Sequence, residues 1–222
     1  MAPIRVETGP MFSGKSSTLV EGIKRRLIGN QKQGRDFLAF NHKDDKRYGK
    51  EIIASHKGEN VIAIPIETSK ELLEILFDLP KKRDLKPNDI KKEYLQLKVL
   101  YLDEAQFFDK DLGKTLKIIE NLFHQHPKRK NPLEIHAAGL DLDFRGEPFG
   151  PMPDLLARAD EVNKHTAVCT TCGENNARHT QRLINGKPAS VDEPIVLVGG
   201  EESYTARCSL HHEIKKGDGK RK

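Results

Sequence analysis

The chain lacks what would carry it into or across a membrane. No apolar run approaches the roughly 20 residues that a bilayer span needs. Met1 leads almost directly into a β-like segment, without the charged-then-apolar pattern of a signal peptide. Its three cysteines cannot pair evenly, and two stand as Cys169-x-x-Cys172, a spacing that points to metal rather than to a disulfide. Repeats and low-complexity tracts are missing. The expectation is a cytoplasmic protein with no membrane partner. Aromatics are sparse, at 6% of residues, and none interleaves with the basic runs Lys81-Lys82-Arg83, Lys128-Arg129-Lys130 and the tail from Lys215. Base stacking needs such aromatics. The net charge of +5 is therefore read as solvated loops and a frayed terminus, and a nucleic-acid partner is not expected.

What is present is a charged, soluble composition, 32% charged against 36% hydrophobic, in 222 residues. That length supports one core of ordinary size plus a small appended module. Residues 1–162 alternate strand-like and helix-like segments. Ile4, Val6 and Thr8 mark a first strand, residues 36–40 a second, residues 61–64 a third, residues 98–102 a buried fourth and residues 133–138 a fifth. Leu19, Ile23 and Leu27 share a helix face; Thr68-Ser69-Lys70-Glu71 is a capping box opening a helix through Leu72 and Leu76; Leu112, Leu116, Ile119 and Phe123 recur at helical spacing. Strand–helix alternation implies an α/β fold with a mostly parallel sheet covered on both faces. The charged stretch 81–96 reads as an excursion, with Pro87-Asn88-Asp89 a helix start. Near Val162 the pattern changes to short β-like pieces rich in Gly, Pro, Cys and His, so a second domain is expected over residues 163–222.

The stretch Gly9-Pro10-Met11-Phe12-Ser13-Gly14-Lys15-Ser16 fits the phosphate-binding pattern of Gly, four residues, Gly-Lys-Ser. It falls where the physics needs it, between a strand and a helix. Glycines let the backbone curl so that several N–H groups face one anion, and the helix adds its positive end. Lys15 is placed to reach the β- and γ-phosphates and Ser16 to ligate Mg²⁺. Asp103-Glu104 directly follows the apolar run Val99 to Leu102, the position of a Walker-B acid. Asp103 is the Mg²⁺ holder in this reading. Glu104 faces the γ-phosphate as general base, which suits a hydroxyl acceptor whose proton must leave as its oxygen attacks.

Cys169-x-x-Cys172 needs two further ligands to close a zinc tetrahedron. Cys208-Ser209-Leu210-His211 offers a second pair at the same spacing, with His212 a competing fourth ligand. Such a closed site is structural, and it ties together the ends of a long segment, 173–207, that has few apolar residues of its own.

Together these motifs resemble the type II thymidine kinases, cytosolic P-loop nucleoside kinases. The resemblance covers most of the chain. Residues 9–16 match the family's P-loop with its Pro-Met-Phe-Ser interior. Asp45-Lys46-Arg47-Tyr48 and Ser55-His56-Lys57-Gly58, then Asp103-Glu104-Ala105-Gln106-Phe107-Phe108, then the run from Gly139 through Asp141, Asp143, Phe144 and Arg145 to Gly150, resemble further signatures in order. Cys169 and Cys172, Thr180-Gln181-Arg182-Leu183, Val198-Gly199-Gly200 with Tyr204, and Cys208 to His211 match a zinc-bound lasso, with His211 where many members carry cysteine.

The resemblance implies transfer of the γ-phosphoryl of ATP to the 5′-hydroxyl of thymidine with Mg²⁺, structural Zn²⁺ and a homotetrameric assembly. It implies ATP held by Gly9, Pro10, Met11, Phe12, Ser13, Gly14, Lys15 and Ser16, and Mg²⁺ by Ser16 and Asp103, with Glu104 as base. Met11, Phe107, Leu140, Phe144, Phe149, Thr180, Leu197, Gly199 and Tyr204 fall where the family surrounds the nucleoside, and Arg47 and Arg145 near the phosphate or sugar. Zinc would be held by Cys169, Cys172, Cys208 and His211. A competing reading is a zinc-bearing P-loop ATPase acting on nucleic acid; a third is a nucleotide-binding module without turnover.

Overall fold

The computed structural model describes residues 3–45, 51–54, 58–80, 84–129, 131–197, 199–200 and 202–216. In chain order the elements are β1 (Ile4–Thr8), α1 (Lys15–Ile28), β2 (Phe37–His42), β3 (Ile52–Ala54), β4 (Asn60–Ile62), β5 (Ile64–Ile66), α2 (Ser69–Leu76), β6 (Val99–Leu102), α3 (Leu112–Gln125), β7 (Glu134–Gly139), α4 (Met152–Arg158), β8 (Glu161–Lys164), β9 (His179–Ile184), β10 (Lys187–Pro188) and β11 (Tyr204–Arg207).

Six strands form one sheet in the order β5-β2-β6-β7-β1-β8, and all five pairings are parallel. The alternation of strands and helices requires this, because parallel neighbours need a crossover. Successive side chains of a strand point to opposite faces, and β2 shows it. Leu38 and Phe40 pack with Leu72, Leu76, Leu116, Ile119 and Leu155 beneath α2, α3 and α4. Phe37 and Ala39 pack with Leu19, Val20 and Ile23 of α1 and with Ile53 and Val61. Both faces are therefore covered, and β6 is buried at every position.

Several local expectations shift. Residues 61–64 do not make one strand. The chain changes sheets at Ala63, so that β4 pairs antiparallel with β3 while β5 joins the parallel sheet as its edge. Pro65 sits on that edge, where a missing N–H is tolerated. Leu27 stays 46% exposed, since only the first turns of α1 lie over the sheet. Pro87–Asp89 is a single 3₁₀ turn, closed by the Lys86 N–H donating to Asp89 Oδ2 at 2.8 Å. The expected boundary at 162 falls inside β8, which pairs with β1. Beyond it, β9 pairs antiparallel with β10 and β11 to make a separate three-stranded sheet. No helix among the described residues is long and apolar enough to cross a membrane.

The start of α2 is tied to the loop leading into α3. Thr68 N–H donates to Glu71 Oε1 at 3.1 Å, as the capping sequence implies. Asp109 adds a second cap, accepting from Ser69 N–H at 2.6 Å and Ser69 Oγ at 2.8 Å. Burial pushes the Asp109 carboxyl up, but the Ser69 and Asp111 donors outweigh it and hold it below the usual carboxylate range. A depressed folded value means stability that is present above the unfolded value of about 3.9 and lost as pH falls through the folded one. Asp109→Asn should cost about 1 kcal/mol near pH 7, and the gap from wild type should close below about pH 4. Denaturant melts at both pH values check it; a gap that does not depend on pH would contradict the account.

Candidate active site

Ligands of open parallel sheets gather outside the carboxyl ends of the strands, and four loops meet there. The loop after β1 carries the phosphate-binding motif. Its backbone turns are tight: Gly9 has φ +136°, and a Cβ there would lie 2.5 Å from the His165 carbonyl oxygen. Gly14 at φ +90° turns directly into α1, whose first turn holds no acidic residue, so its positive end is left for an anion. Lys15 Nζ donates to Pro10 O at 2.6 Å, folding back along the loop. Phe12 adopts φ +65°, which for an aromatic residue is a strained conformation of the kind found at functional sites.

The loop after β6 presents the acids. Asp103 and Glu104 are 4% and 9% exposed. Ser16 Oγ donates to Asp103 Oδ1 at 3.2 Å, which joins the P-loop helix to the Walker-B strand end. Two hard oxygen donors at that separation suit adjacent positions around Mg²⁺, whose bonds of about 2.1 Å place neighbouring ligands about 3 Å apart. Glu104 is the second strained residue, at φ +55°. Its N–H donates to Asp103 Oδ1, and its carboxylate accepts from Gln106 Nε2.

These residues open onto a cleft of roughly 840 Å³, counting the space open to solvent. Met11, Phe12, Gly14, Lys15, Ser16, Asp103, Glu104, Phe107, Leu140, Phe149, Leu197, Gly199 and Tyr204 all line it, as the sequence reading expects. Phe107 and Phe149 meet edge to face at 5.8 Å. Tyr204 Oη donates to Leu197 O at 2.6 Å, fixing the far wall. Thr180 is not in that wall; its hydroxyl accepts from Met11 N–H at 3.0 Å and so braces the P-loop. Phe144 is also absent from the wall. Its ring is buried, with the Arg182 guanidinium 5.2 Å from its centre. Arg145 is engaged with Asp143 at 2.7 Å. Arg47, Val198 and residues 55–57 lie outside the described residues.

Asp44, Asp45, Ser17, Ile195 and Val196 also line the cleft, and the sequence reading gave them no role. Asp45 opens the Asp45-Lys46-Arg47-Tyr48 signature, three residues after the end of β2. Among the described lining residues there are four carboxylates, from Asp44, Asp45, Asp103 and Glu104, against the one cation of Lys15. Such a cleft favours a nucleotide that arrives with a divalent cation.

Beside the cleft, the donor atoms of Cys169, Cys172, Cys208 and His211 lie within 4.8 Å of one another. Tetrahedral zinc with Zn–S bonds of about 2.3 Å needs ligand separations near 3.8 Å, so the cluster fits. The competing ligand is excluded by its own contacts: His212 Nε2 faces Phe144 O at 2.9 Å, and its ring stacks on His179. Burial pushes the Cys169 thiol up, but N–H donors of Cys208, Cys172 and Thr171 outweigh it and favour the thiolate; at Cys172 the Glu174 N–H favours the thiolate, but burial and the hydrogen bond and charge of Cys169 outweigh it and push the thiol up. A cation among these sulfurs would favour the thiolate at each of them.

A P-loop between strand and helix, acids at a second strand end and an apolar cleft beyond them define a P-loop phosphotransferase of the α/β class. The family model for thymidine kinase matches residues 2–212. The chain is 44% identical over 211 residues to a curated thymidine kinase from Coprothermobacter proteolyticus, covering 95% of this chain and 90% of that protein. The chain belongs to the thymidine kinase family.

Proposed function

We propose that the cleft transfers the γ-phosphoryl group of ATP to the 5′-hydroxyl of thymidine. The observation that supports it most is the placement of Glu104 between a phosphate loop and an apolar wall, with all three lining one cleft. In this reading the backbone of residues 9–16, Lys15 and the start of α1 hold the triphosphate. Ser16 and Asp103 would hold Mg²⁺, which would neutralise the charge that develops on the phosphoryl oxygens. Met11, Phe107, Leu140, Phe149, Leu197, Gly199 and Tyr204 seat the base, Thr180 braces Met11 from behind, and Phe144 stays in the family's set of nucleoside residues without lining the cleft. The 5′-oxygen attacks phosphorus, its proton passes to the Glu104 carboxylate, and the bond from phosphorus to the β-phosphate oxygen breaks to leave ADP. Zinc at Cys169, Cys172, Cys208 and His211 has no part in that step; it holds the lasso that carries Leu197, Gly199 and Tyr204. A division into kinase domain 1–162 and lasso domain 163–222, a homotetramer and a cytosolic location complete the reading.

An uncharged base suits this wall. One methyl group is worth about 1–3 kcal/mol in such a pocket, so deoxyuridine is a poorer acceptor than thymidine but not an excluded one. The test compares ATP turnover with thymidine, with no acceptor and with single-stranded DNA. Turnover that needs thymidine supports the kinase. Stimulation by DNA without thymidine would replace it with a nucleic-acid ATPase.

A further inference from the structure

Gln106 lies two residues beyond Glu104 and is 2% exposed. Both ends of its amide are engaged. Nε2 donates to Glu104 Oε2 at 2.5 Å, and Oε1 accepts from the Leu140 N–H at 2.9 Å. The orientation of the amide is fixed by its partners. A backbone N–H can only donate and an ionised carboxylate can only accept, so a flipped amide would place donor against donor and acceptor against acceptor. The side chain is thus a bridge from the acid at the end of β6 to the first residue after β7, and both of its partners line the cleft.

The backbone around it is shaped to admit it. A Cβ on Gly150, which adopts φ +51°, would stand 2.1 Å from the Gln106 carbonyl oxygen. One on Gly139 would stand 2.9 Å from Gln106 Oε1 and 2.9 Å from Met152 Sδ. Gly139 therefore leaves room for the side-chain amide of Gln106, and Gly150 for its backbone carbonyl. Glu104 meanwhile holds an αL backbone that its residue type disfavours. The Gln106 amide is one of the groups that hold its carboxylate.

We propose that Gln106 is a positioning residue: a rigid amide strut that aligns the Glu104 carboxylate with the wall that seats the acceptor, so that one side chain sets both. The proposal rests on the reading of Glu104 as the base. A misplacement of about 1 Å in a reacting group can cost about a hundredfold in rate, which is the scale on which a strut matters.

A double-mutant cycle on the full chain tests it, with single-turnover transfer from Mg-ATP to thymidine as the readout. Gln106→Met keeps the length of the side chain and removes the amide. It should slow transfer about 10- to 100-fold while the KM for ATP stays within about twofold. Built into Glu104→Gln, the same change should slow the residual transfer less than about twofold, because two residues acting as one unit are not additive. An equal fall in both backgrounds would mean that Gln106 only supports the fold, and no fall in either would mean that it does nothing; either result overturns the strut. Should Gln106→Met not fold, Gln106→Glu takes its place, since it still accepts from Leu140 but turns an oxygen toward Glu104. Full activity of Glu104→Gln alone would overturn the base reading instead, and that arm is read separately.

Discussion

Replacing Glu104 with Gln should lower thymidine phosphorylation by about 10²- to 10⁴-fold, the usual contribution of a general base, and leave ATP affinity within about twofold. The carboxylate is nearly buried at the cleft and is hydrogen-bonded through Gln106. The amide of the variant has nearly the same shape and cannot take the proton of the attacking hydroxyl. It also sets an amide against the amide of Gln106. The phosphate loop is built from other residues, and its Lys15 Nζ donates to Pro10 O at 2.6 Å. Calorimetric binding of ATP alongside steady-state transfer separates the two effects. Turnover near wild type would remove Glu104 from the chemistry, and loss of ATP binding would make it structural.

The second large effect is expected from metal removal, and it should reach ATP as well as thymidine. Cys169 and Cys208 form a small core with Ala167, Ala177 and Ala206, and Phe12 of the phosphate loop packs against that core. Met11 of the same loop donates its N–H to Thr180 on β9. A metal held by this cluster would thus support the strained turn at Phe12. Structural zinc in small modules is worth about 10–16 kcal/mol, far more than a few alanines can contribute. Purified protein should hold close to one zinc per chain. Cys208→Ser, or chelation, should lower the melting temperature and raise the KM for both substrates by at least about tenfold. Metal content near zero, or a melting temperature that ignores chelator, would remove zinc from the account. A rise in KM for thymidine alone would break the proposed link through Phe12.

The parallel character of the sheet and the phosphate loop were legible because their signals are local. A buried parallel strand is a continuous apolar run, as Val99 to Leu102 shows, and a P-loop is written in consecutive residues. The Cys/His cluster was legible from matched spacing, except for the choice between His211 and His212. That choice turned on a contact with Phe144, 68 positions away, which no spacing encodes. The boundary near Val162 rests on the change to short pieces rich in Gly, Pro, Cys and His; β8 is exposed at all four residues, so an edge strand held by β1 has no apolar signature there. The split at Ala63 was hidden for a related reason: a single residue redirects the chain, and both halves are strand-like. Asp44 and Asp45 reach the cleft only because β2 ends beside β6, a fact of sheet order. Phe144 carried the residue type of a base-stacking wall, but the arginines above it turned its ring into packing.

The most direct measurement of the central claim is labelled-phosphoryl transfer from Mg-ATP to a panel of thymidine, deoxyuridine, deoxycytidine and deoxyguanosine. The account predicts label in the thymidine monophosphate, weaker labelling of deoxyuridine, and almost none of deoxycytidine, whose amino group would leave buried partners unpaired. ATP consumed with no nucleoside labelled, or deoxycytidine labelled as well as thymidine, would contradict it.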